Sequence, residues 1–250
     1  MEKTEKKQRR FGLVGKNISY SFSKGYFTQL FKKQGLTDHS YENFDIQNIA
    51  DFTSILKDNK DIAGLNVTIP YKEAILPYLD SVDEQAVSIG AVNTIKFTEA
   101  GLMGYNTDSY GFEKSLVSHL KEHHKKALIL GTGGASKAVA YTLKSLRIPY
   151  TFVSRNPEEG QLSYADLDAN LVASYTLIIN CTPLGTYPNI LEKPNIPYEY
   201  ITPLHLLFDL IYNPEKSAFL LAGEKRGATI CNGLAMLELQ AEKAWTIWHQ

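Results

Sequence analysis

The stretch Ala127-Leu-Ile-Leu-Gly-Thr-Gly-Gly-Ala-Ser136 decides how this sequence folds. Its first four residues are a continuous apolar run, which is typical of a strand buried on both faces of a parallel sheet. The glycine-rich turn opens an amphipathic segment, predicted as a helix over 135–146. A strand, a G-x-G turn and a helix in this order indicate dinucleotide binding, because glycine lets the backbone approach a pyrophosphate at a helix N-terminus. A tight turn without a ligand is the alternative.

The end of the next predicted strand, over 150–154, indicates which dinucleotide would bind. NAD-binding units usually carry Asp or Glu about 20 residues after the glycine turn, where it holds the ribose 2′-hydroxyl. Ser154-Arg155-Asn156 stands there and contains no acid. A hydroxyl and a guanidinium suit a 2′-phosphate, so the sequence favours NADP. A surface arginine with no ligand is the alternative for Arg155.

Apolar runs alternate with amphipathic segments along the whole chain, which is typical of α/β proteins. Predicted strands cover 11–15, 41–45, 62–68, 177–180 and 206–210, and predicted helices cover 22–34, 46–57 and 110–120. The segments 91–97 and 102–107 form a predicted hairpin. The last predicted helix has an apolar stripe made of Leu234, Leu237, Ala241, Ala244 and Trp248.

We therefore predict two α/β domains with a cleft between them. The first, over 1–107, would bind the substrate, and the C-terminal helix over 233–250 would pack back on it. The second, over 108–232, would be a doubly wound, Rossmann-like domain that binds NADP.

Composition excludes several classes of protein. The chain has 250 residues, 44% of them hydrophobic, and a formal net charge of −1, which argues against disorder and against nucleic acid as a partner. No apolar run reaches the roughly 18 residues of a membrane span. Cys181 and Cys231 lack a second ligand pair at metal spacing, so we expect free thiols and no metal. The charged segment over 1–10 does not read as a secretory signal, which favours a cytoplasmic protein.

Polar residues at predicted strand ends stand out in the first half. Asn66 and Thr68 are two apart and so share one face of a strand. Pro70 ends that strand and can start a helix, which would place Lys72 in its first turn, where the helix dipole disfavours a cation. Lys72 is then either exposed without a role or functional. Asp108 opens another predicted helix, and capping is the alternative to a functional role there.

Ser21 and Ser23 stand at the start of the first predicted helix, where capping is again the alternative. They form one of eight blocks, in unbroken order from about Phe11 onward, that resemble the shikimate dehydrogenase family. The blocks are the glycine turn, Ser21-Phe-Ser23, Asn66-Val-Thr-Ile-Pro-Tyr-Lys72, Ala91-Val-Asn93-Thr94, Asn106-Thr-Asp108, Asn180-Cys-Thr-Pro-Leu-Gly185, Asp209-Leu-Ile-Tyr212-Asn-Pro and Asn232-Gly-Leu-Ala-Met-Leu-Glu-Leu-Gln240.

The resemblance implies reversible NADPH-dependent reduction of 3-dehydroshikimate to shikimate, in the biosynthesis of chorismate and aromatic amino acids. The implied catalytic pair is Lys72 and Asp108. The implied substrate-binding residues are Ser21 and Ser23, which with Tyr212 would bind the carboxylate, and Asn66, Thr68, Asn93 and Gln240, which would bind the ring hydroxyls. The implied cofactor-binding residues are Gly131, Gly133, Gly134 and Ala135 at the pyrophosphate, Ser154 and Arg155 at the 2′-phosphate, and Leu210, Gly233 and Met236 near the nicotinamide.

One residue departs from the family pattern, and several alternatives stay open. Lys24 stands where the family often has proline, beside the implied carboxylate site. A quinate or shikimate dehydrogenase using NAD, a non-catalytic dinucleotide sensor and a methyltransferase are the competing functions. The presence of both Lys72 and Asp108 argues against the sensor, and a methyltransferase would not explain the first-half polar cluster. The sequence leaves open whether the protein is a monomer or a homodimer, and which member of the pair is the formal acid.

Overall fold

The computed structural model describes residues 8–19 and 21–250. By their contacts, the residues divide into two units, Met1–Thr107 with Ala241–Gln250, and Asp108–Gln240. Each unit contains its own six-stranded sheet. The last helix is shared by the two units, because its residues up to Gln240 belong to the second unit and those from Ala241 to the first.

The first unit is a mixed α/β structure. Its strands are β1 (Arg9–Gly15), β2 (His39–Asp45), β3 (Ile62–Val67), β4 (Ser81–Val82), β5 (Thr94–Thr98) and β6 (Gly101–Tyr105). Its helices are α1 (Phe22–Gln34), α2 (Phe52–Asp58) and α3 (Glu84–Ile89), with 3₁₀ turns at Ile49–Asp51 and Leu76–Tyr78. The strand order is β2-β1-β3-β5-β6-β4, in which β1 pairs in parallel with β2 and β3. The predicted hairpin is confirmed as the antiparallel pair β5–β6.

Local chemistry fixes both ends of α1 where the sequence predicted them. The Ser21 Oγ accepts the N–H of Ser23 at 3.2 Å, which satisfies a backbone donor that the helix itself leaves open. Gly35 ends the helix in the left-handed conformation, with φ 69°. Its N–H lies against the carbonyls of Phe31 and Lys32, as in the common glycine C-terminus.

An aromatic cluster closes the core of the first unit on one side of its sheet. Phe11, Phe27, Tyr41 and Trp248 are all buried there. The Trp248 Nε1–H donates to the carbonyl of Ile95 at 3.0 Å, so the buried indole has a polar partner. Its ring lies where a β-carbon at position 64 would stand, and only glycine leaves that space.

The second unit is a parallel sheet covered on both faces. Its strands are β7 (Ala127–Leu130), β8 (Tyr150–Ser154), β9 (Leu162–Ser163), β10 (Leu177–Asn180), β11 (Leu206–Asp209) and β12 (Thr229–Cys231). Its helices are α4 (Asp108–Val117), α5 (Gly134–Ser145), α6 (Ala169–Ser174), α7 (Ala218–Glu224) and the first part of α8 (Leu234–Trp248). The order is β12-β11-β10-β7-β8-β9, and every adjacent pair is parallel.

The chain is therefore an α/β protein with a doubly wound parallel sheet, as predicted. All residues of β7, β10 and β11 are buried, which explains their continuous apolar runs. The strand order reverses between β7 and β10. In open α/β sheets, ligands bind outside the carboxyl ends of the strands at such a point.

The segment after β3 corrects one prediction. No α-helix begins at Pro70, and residues 68–75 form consecutive turns that lead into the 3₁₀ turn at Leu76–Tyr78. The N–H of Tyr71 bonds to the carbonyl of Thr68, and the N–H of Ile75 to that of Tyr71. Lys72 consequently lies in a turn, so the argument from a helix dipole does not apply to it.

The predicted stripe of the last helix is only partly correct. Ala241, Ala244 and Trp248 are buried, but Leu234 is 37% exposed. Met236, which the stripe omits, is buried in the core of the second unit. In the described part of the chain, no helix combines the length and apolar character that crossing a bilayer requires.

Candidate active site

The loop before α1 is held by the end of β2. The Asp45 carboxylate accepts the N–H groups of Asn17 at 2.9 Å and of Ile18 at 3.1 Å. The Asn43 Nδ2 donates to the carbonyl of Ile18 at 2.8 Å. These bonds fix the chain just before Ser21, whose Oγ caps α1 through a lone pair. Capping therefore leaves the Ser21 hydroxyl proton available for a further acceptor.

A buried tyrosine on β2 holds one of the predicted substrate-binding residues. The Tyr41 hydroxyl donates to Asn66 Oδ1 at 2.8 Å. Burial raises the pKa of Tyr41 above its ordinary range, so its phenol stays protonated. The Tyr41 hydroxyl is therefore a hydrogen-bond donor that fixes the amide oxygen of Asn66 on β3.

The polar network continues across the sheet. The Asn66 Nδ2 donates to Thr94 Oγ1 at 3.1 Å and to the carbonyl of Asn93 at 3.3 Å. The Asn93 Oδ1 accepts the N–H of Thr107 at 2.7 Å, and its Nδ2 donates to Thr107 Oγ1 at 3.0 Å. Asn93, Thr94 and Thr107 are buried, and buried amides and hydroxyls need such partners. The network includes Thr107, the residue that directly precedes Asp108.

Lys72 and Thr68 flank this network in the first unit. The carbonyl of Lys72 accepts the N–H of Val92 at 2.8 Å, which ties the turn to the segment leading into β5. The N–H of Thr68 donates to the carbonyl of Val14 at 2.9 Å. Asp108 is the first residue of α4 and of the second unit, and it is only 1% exposed. A carboxyl group is rarely buried this deeply, so packing alone does not explain the position of Asp108.

The glycine turn of the second unit has the geometry of a phosphate cradle. Gly131 has φ 100°, a conformation that favours glycine, and a β-carbon there would lie 3.1 Å from Thr182 Cγ2. At Gly133 a β-carbon would meet nothing within 4 Å, so its absence opens the surface above the turn. Gly134 then begins α5, followed by Ala135, and the first backbone N–H groups of an α-helix find no acceptor within the helix itself.

Ser136 stands where the third glycine of the pattern would be. It is buried, and its hydroxyl donates to the carbonyl of Gly133 at 2.7 Å. The substitution is therefore accommodated, because the turn itself satisfies the hydroxyl.

The end of β8 presents the residues predicted for the 2′-phosphate. Arg155 is exposed, and Ser154 is partly buried. The Ser154 Oγ lies 3.2 Å from both the N–H and the carbonyl oxygen of Asn156, which turns the chain away from the strand. A phosphate that binds here can pair with the exposed Arg155 guanidinium directly, because it does not have to displace a protein carboxylate from that guanidinium.

A buried carboxylate organises the carboxyl ends of β10 and β11. The Asp209 Oδ1 accepts the N–H of Ile211 and the Nδ2 of Asn180, both at 3.0 Å, and its Oδ2 accepts the Ser217 hydroxyl. Asn180 Oδ1 in turn accepts the Thr182 N–H at 3.0 Å, next to Gly131. Burial raises the pKa of Asp209 to about 6, although its three donors act in the opposite direction.

The residues predicted near the nicotinamide lie in the second unit as well. The N–H of Gly233 donates to the carbonyl of Ile211 at 3.0 Å, and a β-carbon at Gly233 would collide with the carbonyl of Leu210. Met236 is buried, whereas Tyr212 and Gln240 are partly exposed. Gly233 thus permits the close approach of α8's first turn to the loop after β11.

The donor set fits NADP and offers no metal site. Within 8–19 and 21–250, no group of three or more His, Cys, Asp or Glu side chains could hold a metal ion. The open face at Gly133, the N-terminus of α5 and the exposed Arg155 together suit a dinucleotide with a 2′-phosphate. A parallel sheet with this turn beside its switch point defines a dinucleotide-binding α/β protein.

Comparison with known proteins identifies the family. A family model for the shikimate dehydrogenase substrate binding domain matches residues 13–95. Shikimate dehydrogenase (NADP(+)) of Clostridium botulinum is 41% identical over 248 residues, 95% of either chain. That of Staphylococcus aureus is 39% identical over 96% of this chain and 92% of its own. The structure of shikimate 5-dehydrogenase from Thermus thermophilus, in complex with NADP(H) and shikimate, matches with TM-score 0.85 and 30% identity over 96% of this chain and 91% of that one. The chain belongs to the shikimate dehydrogenase family.

Sequence reasoning missed two residues that organise these sites. Tyr41 was predicted only as part of a strand, because its partner Asn66 is 25 residues away. Asp209 belongs to one of the blocks that carry the family resemblance, but the sequence assigns it no role. The available signal was the position of Asp209 directly at the end of an apolar strand of the buried type, because a buried carboxyl needs several hydrogen-bond donors.

Proposed function

We propose that this protein catalyses the reversible, NADP-dependent reduction of 3-dehydroshikimate to shikimate. The observation that carries the proposal is the hydrogen-bonded series from Tyr41 through Asn66 to Asn93, in the same unit as Lys72. The relatives of highest identity reported above bear the name shikimate dehydrogenase (NADP(+)) along nearly their whole length. This reaction belongs to the biosynthesis of chorismate and aromatic amino acids.

The first unit provides the groups that a polyhydroxylated acid requires. Hydroxyls at the start of α1, Ser21 and Ser23, donate to the carboxylate with Tyr212. The ring hydroxyls bind the amides and hydroxyls of Asn66, Thr68, Asn93 and Gln240. These side chains both donate and accept hydrogen bonds, as an alcohol does. They therefore match the ring hydroxyls better than apolar side chains would.

Lys72 and Asp108 handle the proton. Reduction of a ketone develops negative charge on its oxygen, and a cationic Lys72 beside that oxygen stabilises the charge. The pair delivers a proton to the oxygen in reduction and removes it in oxidation. Asp108 orients the lysine ammonium through a charge-assisted interaction.

The second unit holds NADP, which supplies the hydride when it is bound. Gly131, Gly133, Gly134 and Ala135 bind the pyrophosphate at the N-terminus of α5. Ser154 and Arg155 bind the 2′-phosphate, and Leu210, Gly233 and Met236 flank the nicotinamide. In this proposal Met1–Thr107 is the substrate-binding unit, and residues 108–232 form the cofactor-binding domain.

Three further properties are part of the proposal. The protein acts in the cytoplasm on a small-molecule substrate, without nucleic acid or membrane as a partner. It is a monomer or a homodimer, which sedimentation analysis distinguishes. The near-neutral net charge of −1 supports a small-molecule substrate rather than a polyanion.

The deciding experiment follows nicotinamide absorbance with purified protein, shikimate or quinate, and NADP or NAD. Rapid NADP reduction with shikimate, and little with quinate or NAD, supports the proposal. Turnover with quinate or NAD instead identifies a broader quinate/shikimate dehydrogenase. Binding of NADP without turnover of either acid identifies a non-catalytic sensor and overturns the proposed activity.

A further inference from the structure

Thr94 is a buried residue of the first unit to which the sequence assigns no role. It begins β5 and is 0% exposed, so its side chain is out of reach of a ligand. Asn66 is its direct partner in the antiparallel ladder between β3 and β5, and side chains paired in this way lie on the same face of the sheet. Packing alone does not explain the hydroxyl of Thr94, because valine has nearly the same shape and a buried hydroxyl is costly without partners.

The Thr94 hydroxyl joins two of the residues proposed to bind the ring hydroxyls of the substrate. Its oxygen accepts a proton from Asn66 Nδ2 at 3.1 Å. Its own proton is donated to Asn93 Oδ1, also at 3.1 Å. A threonine hydroxyl has one proton and two lone pairs, so it can accept from one amide while it donates to another. The side chains of Asn66 and Asn93 are therefore connected through one buried oxygen atom.

The Asn93 amide at the other end of this connection is itself fixed. Its Oδ1 also accepts the N–H of Thr107 at 2.7 Å, and its Nδ2 donates to Thr107 Oγ1 at 3.0 Å. Asn93 and Thr107 are both buried, and hydrogen-bonded networks of buried groups are rigid when their members are satisfied. Thr94 therefore connects Asn66 to a fixed partner.

The orientation of the Asn66 amide follows from its partners. Besides its bond to Thr94, the Nδ2 donates to the backbone carbonyl of Asn93 at 3.3 Å. A carbonyl oxygen can only accept a hydrogen bond, so the nitrogen end of the amide must face it. The Oδ1 end accordingly faces the Tyr41 hydroxyl, which donates to it at 2.8 Å. Both protons of the amide are thus committed, while Oδ1 keeps a second lone pair.

This arrangement decides which hydrogen-bonding group Asn66 can offer to a ligand. Asn66 is partly exposed, and the capacity that remains on its amide is that of an acceptor. A ring hydroxyl can donate to this oxygen, whereas a ketone or ether oxygen at the same ring position has no proton to donate. A site built for a hydroxyl rejects a ligand that lacks it, because its polar groups are then left unpaired. Asn66 held in this orientation therefore selects a hydroxyl.

We propose that Thr94 is a positioning residue, which holds the Asn66 amide with its oxygen available to accept from a substrate hydroxyl. The inference rests on the proposed function and adds to it both a residue and the direction of one hydrogen bond. Thr94 acts through Asn66 and Asn93 and does not touch the substrate. Its hydroxyl thereby contributes to the selection of a hydroxylated ring.

The test is Thr94→Val, which removes the hydroxyl and nearly keeps the shape of the side chain. We expect the KM for shikimate to rise about tenfold, because the Asn66 amide loses an acceptor and can turn its oxygen away from the substrate. The kcat and the KM for NADP should stay within about twofold. Calorimetric titration of shikimate without cofactor should show the same loss of affinity. Thr94→Ser restores the hydroxyl and should recover most of that affinity.

The matched control is Thr98→Val at the other end of β5. It removes an exposed threonine hydroxyl that donates to the carbonyl of Gly101 at 2.8 Å, outside the proposed site. Both KM values should stay at wild-type level in this variant.

Deoxy analogues of shikimate, each lacking one ring hydroxyl, test whether Thr94 acts through a hydroxyl of the ligand. For the analogue that lacks the hydroxyl bound by Asn66, wild type and Thr94→Val should have nearly equal affinity. The reason is that the interaction which Thr94 supports is already absent from that complex. For the other analogues the loss of affinity in Thr94→Val should match the loss for shikimate.

The outcomes separate the inference from the proposed function. Wild-type protein that neither binds nor turns over shikimate overturns both. Binding without turnover overturns the proposed function alone, and the calorimetric comparison with Thr94→Val then decides the inference. Active wild type with unchanged shikimate affinity in Thr94→Val overturns the inference alone, as does an equal loss of affinity for every deoxy analogue.

A measurement on the wild type decides the inference if Thr94→Val fails to fold. Solvent exchange of the Asn66 side-chain amide protons is followed in ¹⁵N-asparagine-labelled protein, and the signal is identified by its loss in Asn66→Asp. Slow exchange of both protons, unchanged when shikimate binds, supports the inference. Rapid exchange of either proton overturns it, because the amide nitrogen would then not be held by Thr94 and the Asn93 carbonyl.

Discussion

At the scale of single residues, Lys72 shows how a functional position is fixed by the main chain. It lies in a turn, and its carbonyl bonds to the N–H of Val92, immediately before the Asn93-Thr94 segment. The lysine is therefore anchored to the same strand end that carries the polar network. Residues in a turn do not repeat with the regular spacing of a helix face. The periodicity of the sequence therefore could not assign a role to Lys72.

Removing this amine tests the proposed proton transfer. In Lys72→Ala we expect kcat to fall about 10²- to 10⁴-fold, because the developing oxyanion loses its cation and proton donor. The KM for NADP should change little, since the proposed cofactor residues belong to the second unit. Lys60→Ala is the control, because that exposed lysine bonds only to the Leu56 carbonyl, at 3.1 Å, in the described contacts. More than a tenth of wild-type kcat in Lys72→Ala would contradict the proposed role.

The exposed guanidinium of Arg155 is expected to set cofactor preference. Arg155→Ala should raise the KM for NADP about 10- to 100-fold, since a charge-assisted bond to the 2′-phosphate is lost. The KM for NAD, which has no 2′-phosphate, should stay nearly constant. Arg226→Ala removes another exposed arginine from the same unit and should leave both values unchanged. An equal loss for NAD and NADP would assign Arg155 a structural role only.

At the scale of elements, the glycine turn between β7 and α5 contains two glycines with different reasons to be glycine. Gly131 needs its positive φ of 100°, and its neighbour Thr182 lies close. Gly133 has φ −77° and ψ 178°, which any residue adopts, and open space above it. Gly131 must be glycine because of its backbone conformation, whereas Gly133 must be glycine because a group that approaches the turn needs the open space.

Two alanine substitutions separate these reasons. Gly131→Ala should destabilise the protein by about 1–3 kcal/mol, because alanine is strained at that φ. Gly133→Ala should fold with nearly wild-type stability but weaken NADP binding, since its methyl group fills the space of the pyrophosphate. Thermal melts and calorimetric NADP titration measure the two effects. Gly133→Ala with full NADP affinity would mean that the pyrophosphate lies elsewhere.

The same elements show what a sequence can and cannot predict. The ends of α1 were predictable because Ser21 and Gly35 act within a few residues of the helix. The turn at 68–75 was not, since its course depends on bonds to β1 and to Val92 that are distant in sequence. Motif residues such as Asn66 and Asn93 were found, but the bond from the Tyr41 hydroxyl to Asn66 was not. The two residues lie on different strands, and no local pattern encodes such a pair.

At the scale of the whole molecule, Asp209 links the stability of the fold to pH. Its pKa rises from 3.8 to about 6 on folding, so the folded state holds its proton more tightly than the unfolded state. The stability from this group is present in full below pH 3.8 and is lost as pH rises through about 6. The loss amounts to about 3 kcal/mol at most.

Asp209→Asn removes this titration while an amide can still accept from Ile211 and Asn180. Relative to wild type, the variant should gain stability between about pH 4 and about pH 6 and then level off. Chemical denaturation across this range measures the difference. Asp166→Asn is the control, because hydrogen bonds from Ser163 lower the pKa of that exposed carboxyl. Its difference from wild type should stay flat over the same range. A flat difference for Asp209→Asn would contradict the raised pKa.

The first unit is discontinuous in sequence, and this has a consequence for how the protein is made. Its aromatic core takes Trp248 from Ala241–Gln250, with the indole seated over Gly64 and bonded to the carbonyl of Ile95. A chain emerging from the ribosome completes Asp108–Gln240 before those ten residues exist. The aromatic core around Phe11 and Phe27 therefore cannot be completed until the last residues of Ala241–Gln250 have been made, although the strands of the same unit are the first to be synthesised. The part of the protein that is made first thus depends for its core on the part that is made last.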